Sequence, residues 1–322
     1  MVLEKERLLS PNTQDVLAAL RKSKLVRDDT SDPKGRVYRD PTGLLYYSVT
    51  RILSETADKS GLDNWIAFTD RIYGPGAAIQ DRNVAAIRGN QAHSQAEFLL
   101  KLANKLARAA ANKNNSLTWD ASGLARIPTP VFRWGLGKAA AKLPQVSWSA
   151  SGYARSLSTW IVSNVTQAYA IEFAVSLPYG QLDSLTNITN PFTALERKQS
   201  PLPFGTVGFA GTADGLISVS PETLERHGAD PALAGAPFIA DWKTSASKRS
   251  PAMMADYCLQ AGAYALGLEH LTGIRPAGAF IVVARRIGEP NVTFLSAREL
   301  ADAKAGYLLR VSQFYEQLAA RK

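Results

Sequence analysis

The sequence has few cysteines, few histidines and no long apolar run, and each scarcity excludes a class of protein. Cys258 is the only cysteine among 322 residues, which excludes an internal disulfide and a four-cysteine zinc or iron–sulfur site. No apolar run reaches about 18 residues, so no membrane span is expected. The N-terminus is charged and lacks the apolar core of a signal peptide. We therefore expect a soluble, cytoplasmic protein.

Acidic residues are scarce in one segment of a chain whose formal net charge is +9. Residues 101–160 hold nine Lys or Arg against the single acid Asp120, so this segment carries +8 and the rest of the chain +1. The same segment contains four of the six tryptophans. Basic surfaces interleaved with aromatic side chains are typical of single-stranded nucleic-acid binding, although a solvated loop surface anchored by tryptophan is the plainer alternative.

Hydrophobic periodicity predicts an α/β protein with a mixed sheet and a helical N-terminal half. Helices are expected at 11–23, 60–112, 151–167, 252–271 and 297–320, and strands at 169–177, 207–219, 238–244, 277–284 and 292–295. Residues 113–150 are rich in Asn, Ser, Pro and Gly and are predicted to be loop-rich. Ser296 and Glu299 have the spacing of a capping box at the start of the last helix.

The domain prediction follows the change along the chain from predicted helices to predicted strands. We expect an N-terminal extension at 1–45, a helical part at 46–167 that contains the basic, tryptophan-rich insertion at about 104–160, and a strand-rich core at 168–322. No linker-like stretch separates these parts, so one compact unit is expected.

The strand 238–244 carries the most informative pair of charges. Asp241 and Lys243 are two residues apart and project from the same side of an otherwise apolar strand. Asp offers hard oxygen ligands to a divalent cation, and Lys stabilises phosphoryl charge or orients water. A cross-strand salt bridge explains the pair alone equally well.

Asp214 ends the glycine-rich run Gly211-Thr212-Ala213-Asp214 on the preceding strand. A hairpin turn at Asp214-Gly215 is the ordinary explanation. If the two strands pair antiparallel, however, Asp214 lies beside Asp241, and two adjacent carboxylates repel each other unless a cation lies between them. The combination favours a metal.

Four further residues have both a structural and a functional interpretation. Gln260 and Tyr264 share a helix face at i, i+4 and are either core residues or contacts to a phosphate or to Lys243. His93 is either a structural helical histidine or a metal ligand. Glu172 either faces solvent by strand alternation or adds a third carboxylate near Asp214.

In this order and spacing, the motifs resemble the RecB-like branch of the PD-(D/E)XK nuclease superfamily. They are Gly211-Thr212-x-Asp214, Asp241-Trp242-Lys243-Thr244-Ser245 and Gln260-x-x-x-Tyr264. Upstream, Tyr47-Ser48-Val49-Thr50-x-Ile52-Leu53, Trp65 and Arg88-Gly89-x-x-x-His93-x-x-x-Glu97 resemble phage-type exonucleases related to the mitochondrial genome maintenance exonuclease.

The resemblance implies an αβββαβ restriction-endonuclease-like core with one or two Mg²⁺ or Mn²⁺ ions. Asp214, Asp241, His93 and the backbone carbonyl of Trp242 would ligate the metal. Lys243 would activate water, and Gln260 and Tyr264 would orient Lys243 or the substrate. The chain would lack an iron–sulfur cluster.

The resulting prediction is a metal-dependent DNA exonuclease that hydrolyses phosphodiester bonds in single strands or at duplex ends, in a bacterial or phage-infected cell. The alternatives are a structure-specific endonuclease and a non-catalytic DNA-binding module. The partner is DNA, with no membrane, and the sequence points to no protein partner. Predicted nucleic-acid contacts are Arg88, Arg133, Trp134, Lys138, Lys248 and Arg249.

Overall fold

The computed structural model describes residues 20, 24–28, 36–178, 208–247, 249 and 251–320. Its strands are β1 (Val26–Asp28), β2 (Val37–Arg39), β3 (Leu45–Ser48), β4 (Thr118–Trp119), β5 (Ala125–Arg126), β6 (Val165–Pro178), β7 (Gly208–Val219), β8 (Phe238–Ser245), β9 (Gly278–Arg285) and β10 (Asn291–Ser296). Its helices are α1 (Val49–Thr56), α2 (Ser60–Tyr73), α3 (Ala77–Lys113), α4 (Thr129–Ala140), α5 (Trp148–Asn164), α6 (Pro221–Arg226), α7 (Pro251–Thr272) and α8 (Ala297–Ala320). Of the helix predicted at 11–23, all but Leu20 lies outside the described residues.

A mixed sheet of eight of these strands forms the centre of the fold. Its order is β1-β2-β3-β7-β8-β9-β10, with β6 paired to β7. The β3–β7 and β8–β9 pairs are parallel and the other described pairs are antiparallel. The prediction of an α/β fold with a mixed central sheet flanked by helices is confirmed.

Helices cover both faces of the sheet, as alternation along its strands requires. On one face, Ile239 belongs to a core that includes Ile52 of α1, Tyr264 of α7 and Tyr307 of α8. On the other face, Trp242 belongs to a core with Leu99 of α3. In that second core the rings of Trp242 and Trp160 of α5 meet edge to face, with centroids 5.7 Å apart. Within the described residues, no helix is long and apolar enough to cross a membrane.

Strand β7 changes its partner partway along one edge. There its first residues pair in parallel with β3, through Tyr47–Phe209 and Ser48–Ala210. Farther along the same strand, Gly215–Ala240 begins the antiparallel pairing with β8. Among the described strands, none pairs with residues 211–214 on this edge, whereas β6 pairs along the other edge. The sheet therefore has a local gap beside the motif that ends in Asp214.

Helix α3 is a single helix of 37 residues that crosses this gap. Alanines along one side of it are fully buried, including Ala92, Ala96 and Ala103, and their small side chains allow the helix to lie close to its neighbours. A Cβ added at Gly89 would stand 3.2 Å from Thr244 Oγ1 of β8. Helix α3 thereby passes the C-terminal end of β8 at Gly89, and His93, one turn farther along, lies beside Asp214 in the middle of β7.

The segment 113–150 is more regular than predicted. It contains the hairpin β4–β5 and the 12-residue helix α4, and the insertion predicted at about 104–160 also includes the end of α3 and most of α5. The loop prediction was wrong because the glycines of α4 were taken as turn residues. Gly135 instead permits close packing, since an added Cβ would lie 2.7 Å from the carbonyl oxygen of Ala103.

The capping box at α8 is confirmed and gives a first testable prediction. Glu299 N donates to Ser296 Oγ at 3.3 Å, and Ser296 N donates to Glu299 Oε2 at 2.8 Å. Ser296→Ala should lower the free energy of unfolding by about 1 kcal/mol, because the helix loses its N-cap acceptor. Urea denaturation measures this loss. Ser296→Asn keeps an acceptor and should remain near wild type; an equal loss in both variants would contradict the capping role.

Candidate active site

Three carboxylates lie side by side on three adjacent strands at the gap. Ile171 pairs with Gly215 and Phe173 with Ala213, which sets Glu172 of β6 opposite Asp214 of β7. On the other edge, Gly215–Ala240 is the last β7–β8 pair, and Asp214 and Asp241 are the next residues. Such a row of acids has no packing value, because like charges on neighbouring strands repel.

Asp214 is held by α3 on one side and by β8 on the other. His93 Nδ1 lies 3.5 Å from Asp214 Oδ1, and the backbone amide of Trp242 donates to Asp214 Oδ2 at 2.6 Å. Burial favours the neutral acid, yet the His93 charge and hydrogen bond, Lys243 and the Trp242 amide together lower the pKa of Asp214. Burial likewise opposes protonation of His93, but Asp214 raises the pKa of that imidazole above its ordinary value. Each group therefore favours the charged form of the other.

Asp241 and Lys243 form the second pair of the site. Their side chains are 1% and 18% exposed, and the Lys243 ammonium contacts Asp241 Oδ2. Burial raises the pKa of Asp241 to about 6, helped by repulsion from Asp214 and opposed by Lys243 and His93. Burial lowers the pKa of Lys243, but the charges of Asp241 and Asp214 more than reverse this and leave it raised. Lys243 Nζ also lies 5.2 Å from the ring centroid of Tyr257 on α7.

Glu172 belongs to the site rather than to the solvated face. Its backbone φ is +49°, the left-handed region that a non-glycine residue seldom adopts within a strand. Burial raises the pKa of Glu172 to about 7, and the charges of Asp214 and Glu97 add to this effect. Backbone strain of this kind is concentrated at functional sites. The structure thus favours the second interpretation of Glu172, a third carboxylate beside Asp214.

Gln260 and Tyr264 lie on α7 next to the two pairs. Both are buried, and Gln260 Nε2 donates to the Tyr264 hydroxyl at 2.5 Å. Burial raises the pKa of Tyr264 well above its ordinary value, and Asp241 and Asp214 contribute to the shift. An added Cβ at Gly211 would stand 2.8 Å from Tyr264 Cε1, so this glycine makes room for the ring. In the described part of the chain, neither residue hydrogen-bonds to Lys243.

The donors suit a hard divalent cation in type, although they are not already gathered around one. Carboxylate oxygens and a backbone carbonyl are ligands for Mg²⁺ or Mn²⁺, whereas the imidazole of His93 is a ligand more typical of softer transition metals. The described residues contain no group of three or more His, Cys, Asp or Glu side chains arranged to hold a metal ion. Asp241 Oδ2 is buried and accepts no well-formed hydrogen bond, its contact with Lys243 being an ion pair. The cation that this oxygen contacts is the Lys243 ammonium, so a divalent ion would share Asp241 with Lys243.

The predicted nucleic-acid contacts are only partly brought to this site. Arg88 adjoins Gly89 over the end of β8, and its guanidinium lies 4.9 Å from the ring centroid of Tyr153. Exposed positions on α4 hold Arg133, Trp134 and Lys138. Helix α4 meets α3 at Ala103, ten residues beyond His93 and about 15 Å along the axis. Lys248 lies outside the described residues, and Arg249 is half-buried in the link from β8 to α7.

Sequence reasoning missed a stacked pair at the same end of the sheet. Trp148 at the start of α5 is 80% exposed, and the Arg286 guanidinium lies 4.8 Å from its ring centroid. Arg286 directly follows β9, whose Arg285 is in register with Ser245 of β8. Trp148 belongs to the tryptophan-rich segment 101–160, but its partner is only an arginine just after a buried strand, which is too common to single out.

A scan of the chain against protein-family models and a search of curated proteins both find no match. The function is therefore inferred from the residues and geometry of the site.

Proposed function

We propose that the protein is a divalent-metal-dependent deoxyribonuclease that removes nucleotides from single strands or duplex ends. One observation carries the proposal. Four ionisable side chains from α3, β7 and β8, namely His93, Asp214 and the Asp241–Lys243 pair, meet at the gap in the sheet, where the Asp241 side chain is 1% and the Asp214 side chain 12% exposed. Buried charges are costly for stability and are retained mainly where chemistry uses them.

The ion would be held by His93, Asp214, Asp241 and the backbone carbonyl of Trp242. Bound there, Mg²⁺ or Mn²⁺ supplies Lewis acidity toward a phosphoryl oxygen and lowers the pKa of bound water. The raised pKa of Asp241, about 6, reflects a carboxylate whose charge is incompletely stabilised by its neighbours. A cation at this position stabilises that charge and favours the ionised form.

The remaining residues act on the phosphodiester and on one another. Lys243 keeps its proton, since the two aspartates raise its pKa, and so offers a fixed positive charge to the phosphoryl oxygens. The hydrogen bond from Gln260 orients the Tyr264 ring within α7, and the close approach of that ring to Gly211 packs α7 against β7. Without the ion, the charge of His93 lowers the pKa of Asp214; as a metal ligand, His93 would be neutral.

The fold and the charge of the chain support the same proposal. Apart from the short α6, the order α5, β6, β7, β8, α7, β9 is the αβββαβ order expected from the resembling nucleases. A net charge of +9 favours a polyanionic partner. Arg88 over Tyr153 and Arg286 over Trp148 place two cation–aromatic pairs at the end of the sheet to which Lys243 belongs.

The test is a gel assay on end-labelled linear and on circular DNA, each single- and double-stranded, with Mg²⁺, Mn²⁺ or EDTA. We expect degradation of the linear substrates from their ends in the presence of either ion and none in EDTA. Intact circular single strands under the same conditions would support end-dependent cleavage.

Two other outcomes would replace the proposal. Cleavage of the circular single strand would make the protein an endonuclease with the same metal chemistry. DNA binding without cleavage, together with no heat of Mn²⁺ binding in calorimetry, would make it a non-catalytic DNA-binding module.

A further inference from the structure

A groove of about 580 Å³, the α5 groove, lies between the exposed side of α5 and the link that joins α4 to α5. Trp148, Ser151, Arg155, Thr159 and Val162 succeed one another along α5 at intervals of three or four positions, and therefore share a face. The last four line the groove, and Ser151 Oγ donates to the carbonyl oxygen of Trp148 at 2.9 Å. The groove therefore ends at the ring of Trp148, about 10 Å along the helix axis from Arg155.

Trp148 presents an open aromatic face at this end of the α5 groove. Because Trp148 is 80% exposed while the Arg286 guanidinium lies 4.8 Å from its ring centroid, the cation covers one face of the ring and leaves the other free. Packing holds Arg286 against α5, since an added Cβ at Gly152 would overlap the carbonyl oxygen of Arg286. An aromatic ring with a free face offers a stacking surface to a base of any sequence.

The cations along this surface are not neutralised by acids. Arg155 is exposed in the α5 groove, and no acid is among the described residues that line it. Within the described part of the chain, Arg286 contacts the Trp148 ring and pairs with no acid. A guanidinium stacked on a ring keeps its charge and its outward N–H groups, so it can bind a phosphate at the same time.

The start of α5 lies beside the part of α3 that precedes His93. Gln91 Oε1 accepts hydrogen bonds from Ser147 N at 2.9 Å and from Ser147 Oγ at 2.6 Å. Arg88, whose guanidinium lies 4.9 Å from the ring centroid of Tyr153 on α5, precedes His93 by five residues, about 7.5 Å along the axis. The exposed ring at the start of α5 is therefore close to the acidic row.

We propose that the α5 groove and the Trp148–Arg286 pair bind a single DNA strand outside the acidic row. One base stacks on the free face of Trp148, and Arg286 and Arg155 bind phosphates of the same strand. The onward course of that strand to the acidic row rests on the proposed nuclease function. Binding of the strand in the groove does not, because it requires neither a metal ion nor cleavage.

Fluorescence anisotropy in EDTA, with a labelled oligothymidylate and with a duplex of equal length, tests the proposal. We expect the single strand to bind at least about fivefold more tightly, because the bases of a duplex stack on one another and are not free to stack on Trp148. No single-strand binding, or duplex binding as tight as single-strand binding, would overturn the proposal.

Stacking and phosphate binding have different signatures in variants of the groove. Trp148→Ala should weaken single-strand binding by about fivefold or more and leave its salt dependence unchanged, whereas Trp148→Phe should retain most of the binding. Arg155→Gln should reduce the slope of log K against log salt by about 0.7, the loss expected for one phosphate contact. Both side chains are exposed, so thermal unfolding should show variants as stable as wild type.

Matched control variants locate the binding. Trp134→Ala removes an exposed tryptophan of α4 from the same basic segment, and Arg275→Gln removes an exposed arginine from the link before β9. Both should bind the single strand like wild type. Losses in these controls as large as those in the groove variants would contradict the assignment to the α5 groove.

The failure of this proposal is distinguishable from the failure of the nuclease proposal. A protein that binds the single strand in EDTA, shows the expected losses in the groove variants and never cleaves DNA would refute the nuclease and support the groove. A protein that degrades linear DNA with Mg²⁺, while Trp148→Ala and Arg155→Gln bind the single strand like wild type, would refute the groove alone.

Discussion

Replacing Asp241 with asparagine should abolish Mg²⁺- and Mn²⁺-dependent degradation of linear DNA. The substitution keeps the shape of the side chain but removes the charge that a divalent cation requires. Loss of a group that merely supports a metal ligand costs about 10- to 100-fold, so removal of the ligand itself should cost about 100-fold or more. Initial rates on end-labelled single strands measure the effect, and Asp214→Asn should give a loss of similar size.

The control for Asp241→Asn must separate chemistry from folding. Asp241 is 1% exposed and pairs with Lys243, so its replacement leaves a buried ammonium without that partner. Thermal unfolding by circular dichroism shows whether the variant is folded at the assay temperature. Asp302→Asn removes an exposed acid of α8 and should keep full activity. Wild-type rates in folded Asp241→Asn would refute the metal role.

Gly262→Ala should destabilise the protein by about 2 kcal/mol, although alanine is the better helix former by about 1 kcal/mol. Gly262 lies inside α7 where that helix crosses α8. An added Cβ would stand 2.6 Å from the carbonyl carbon of Ala303 and 2.7 Å from the amide nitrogen of Lys304. These are backbone atoms, so the whole of α8 would have to move away. Urea denaturation measures the change.

Gly137→Ala is the matched control, because it makes the same substitution inside α4 with nothing within 4 Å of the added Cβ. Here helix propensity acts alone, and stability should rise by about 0.5–1 kcal/mol. Opposite signs for two chemically identical changes identify the α7–α8 contact as the cause. A stabilised Gly262→Ala would show that the two helices can separate at little cost.

Local patterns were sufficient to predict most of the elements that build the sheet. The strands at 169–177 and 238–244 lie within observed strands, and the strand at 207–219 matches β7 from residue 208 onward, because β-branched and apolar runs bounded by polar turns leave few alternatives. The capping box of α8 was equally visible, since it depends on spacing within a few residues. The helix predicted at 60–112 was wrong in extent, because the structure ends α2 at Tyr73 and begins α3 at Ala77, with Gly74 and Gly76 at positive φ between them.

Long-range pairing could not be predicted in the same way. Nothing in Leu45–Ser48 indicates that it pairs in parallel with β7, because the pairing depends on residues about 160 positions away. The sequence therefore did not predict the gap along β7 between its pairing with β3 and its pairing with β8. Nor did it predict that Glu172 lies opposite Asp214. The glycines of α4 misled for a related reason, since a packing glycine and a turn glycine look alike in sequence.

The residues of the candidate site were predictable from the sequence, but the contacts between their side chains were less so. The sequence placed Asp214 beside Asp241, and the register sets them one position beyond the last β7–β8 pair. It did not show that Lys243 contacts Asp241 or that Gln260 hydrogen-bonds to Tyr264. Those contacts depend on side-chain rotamers and burial, which spacing alone does not determine.

Because α3 is one continuous helix, the number of residues in it determines the direction in which its later side chains point. One unbroken helix carries His93 at the acidic row and Ala103 at its packing contact with Gly135 of α4. Inserting a single residue between His93 and Lys101 would turn the later side chains by about 100° about the axis and direct them elsewhere. Seven inserted residues would nearly restore their direction but carry them about 10 Å farther away. Changes of length here are therefore tolerated far less readily than substitutions, and related chains should differ in this stretch by residue type and not by residue number.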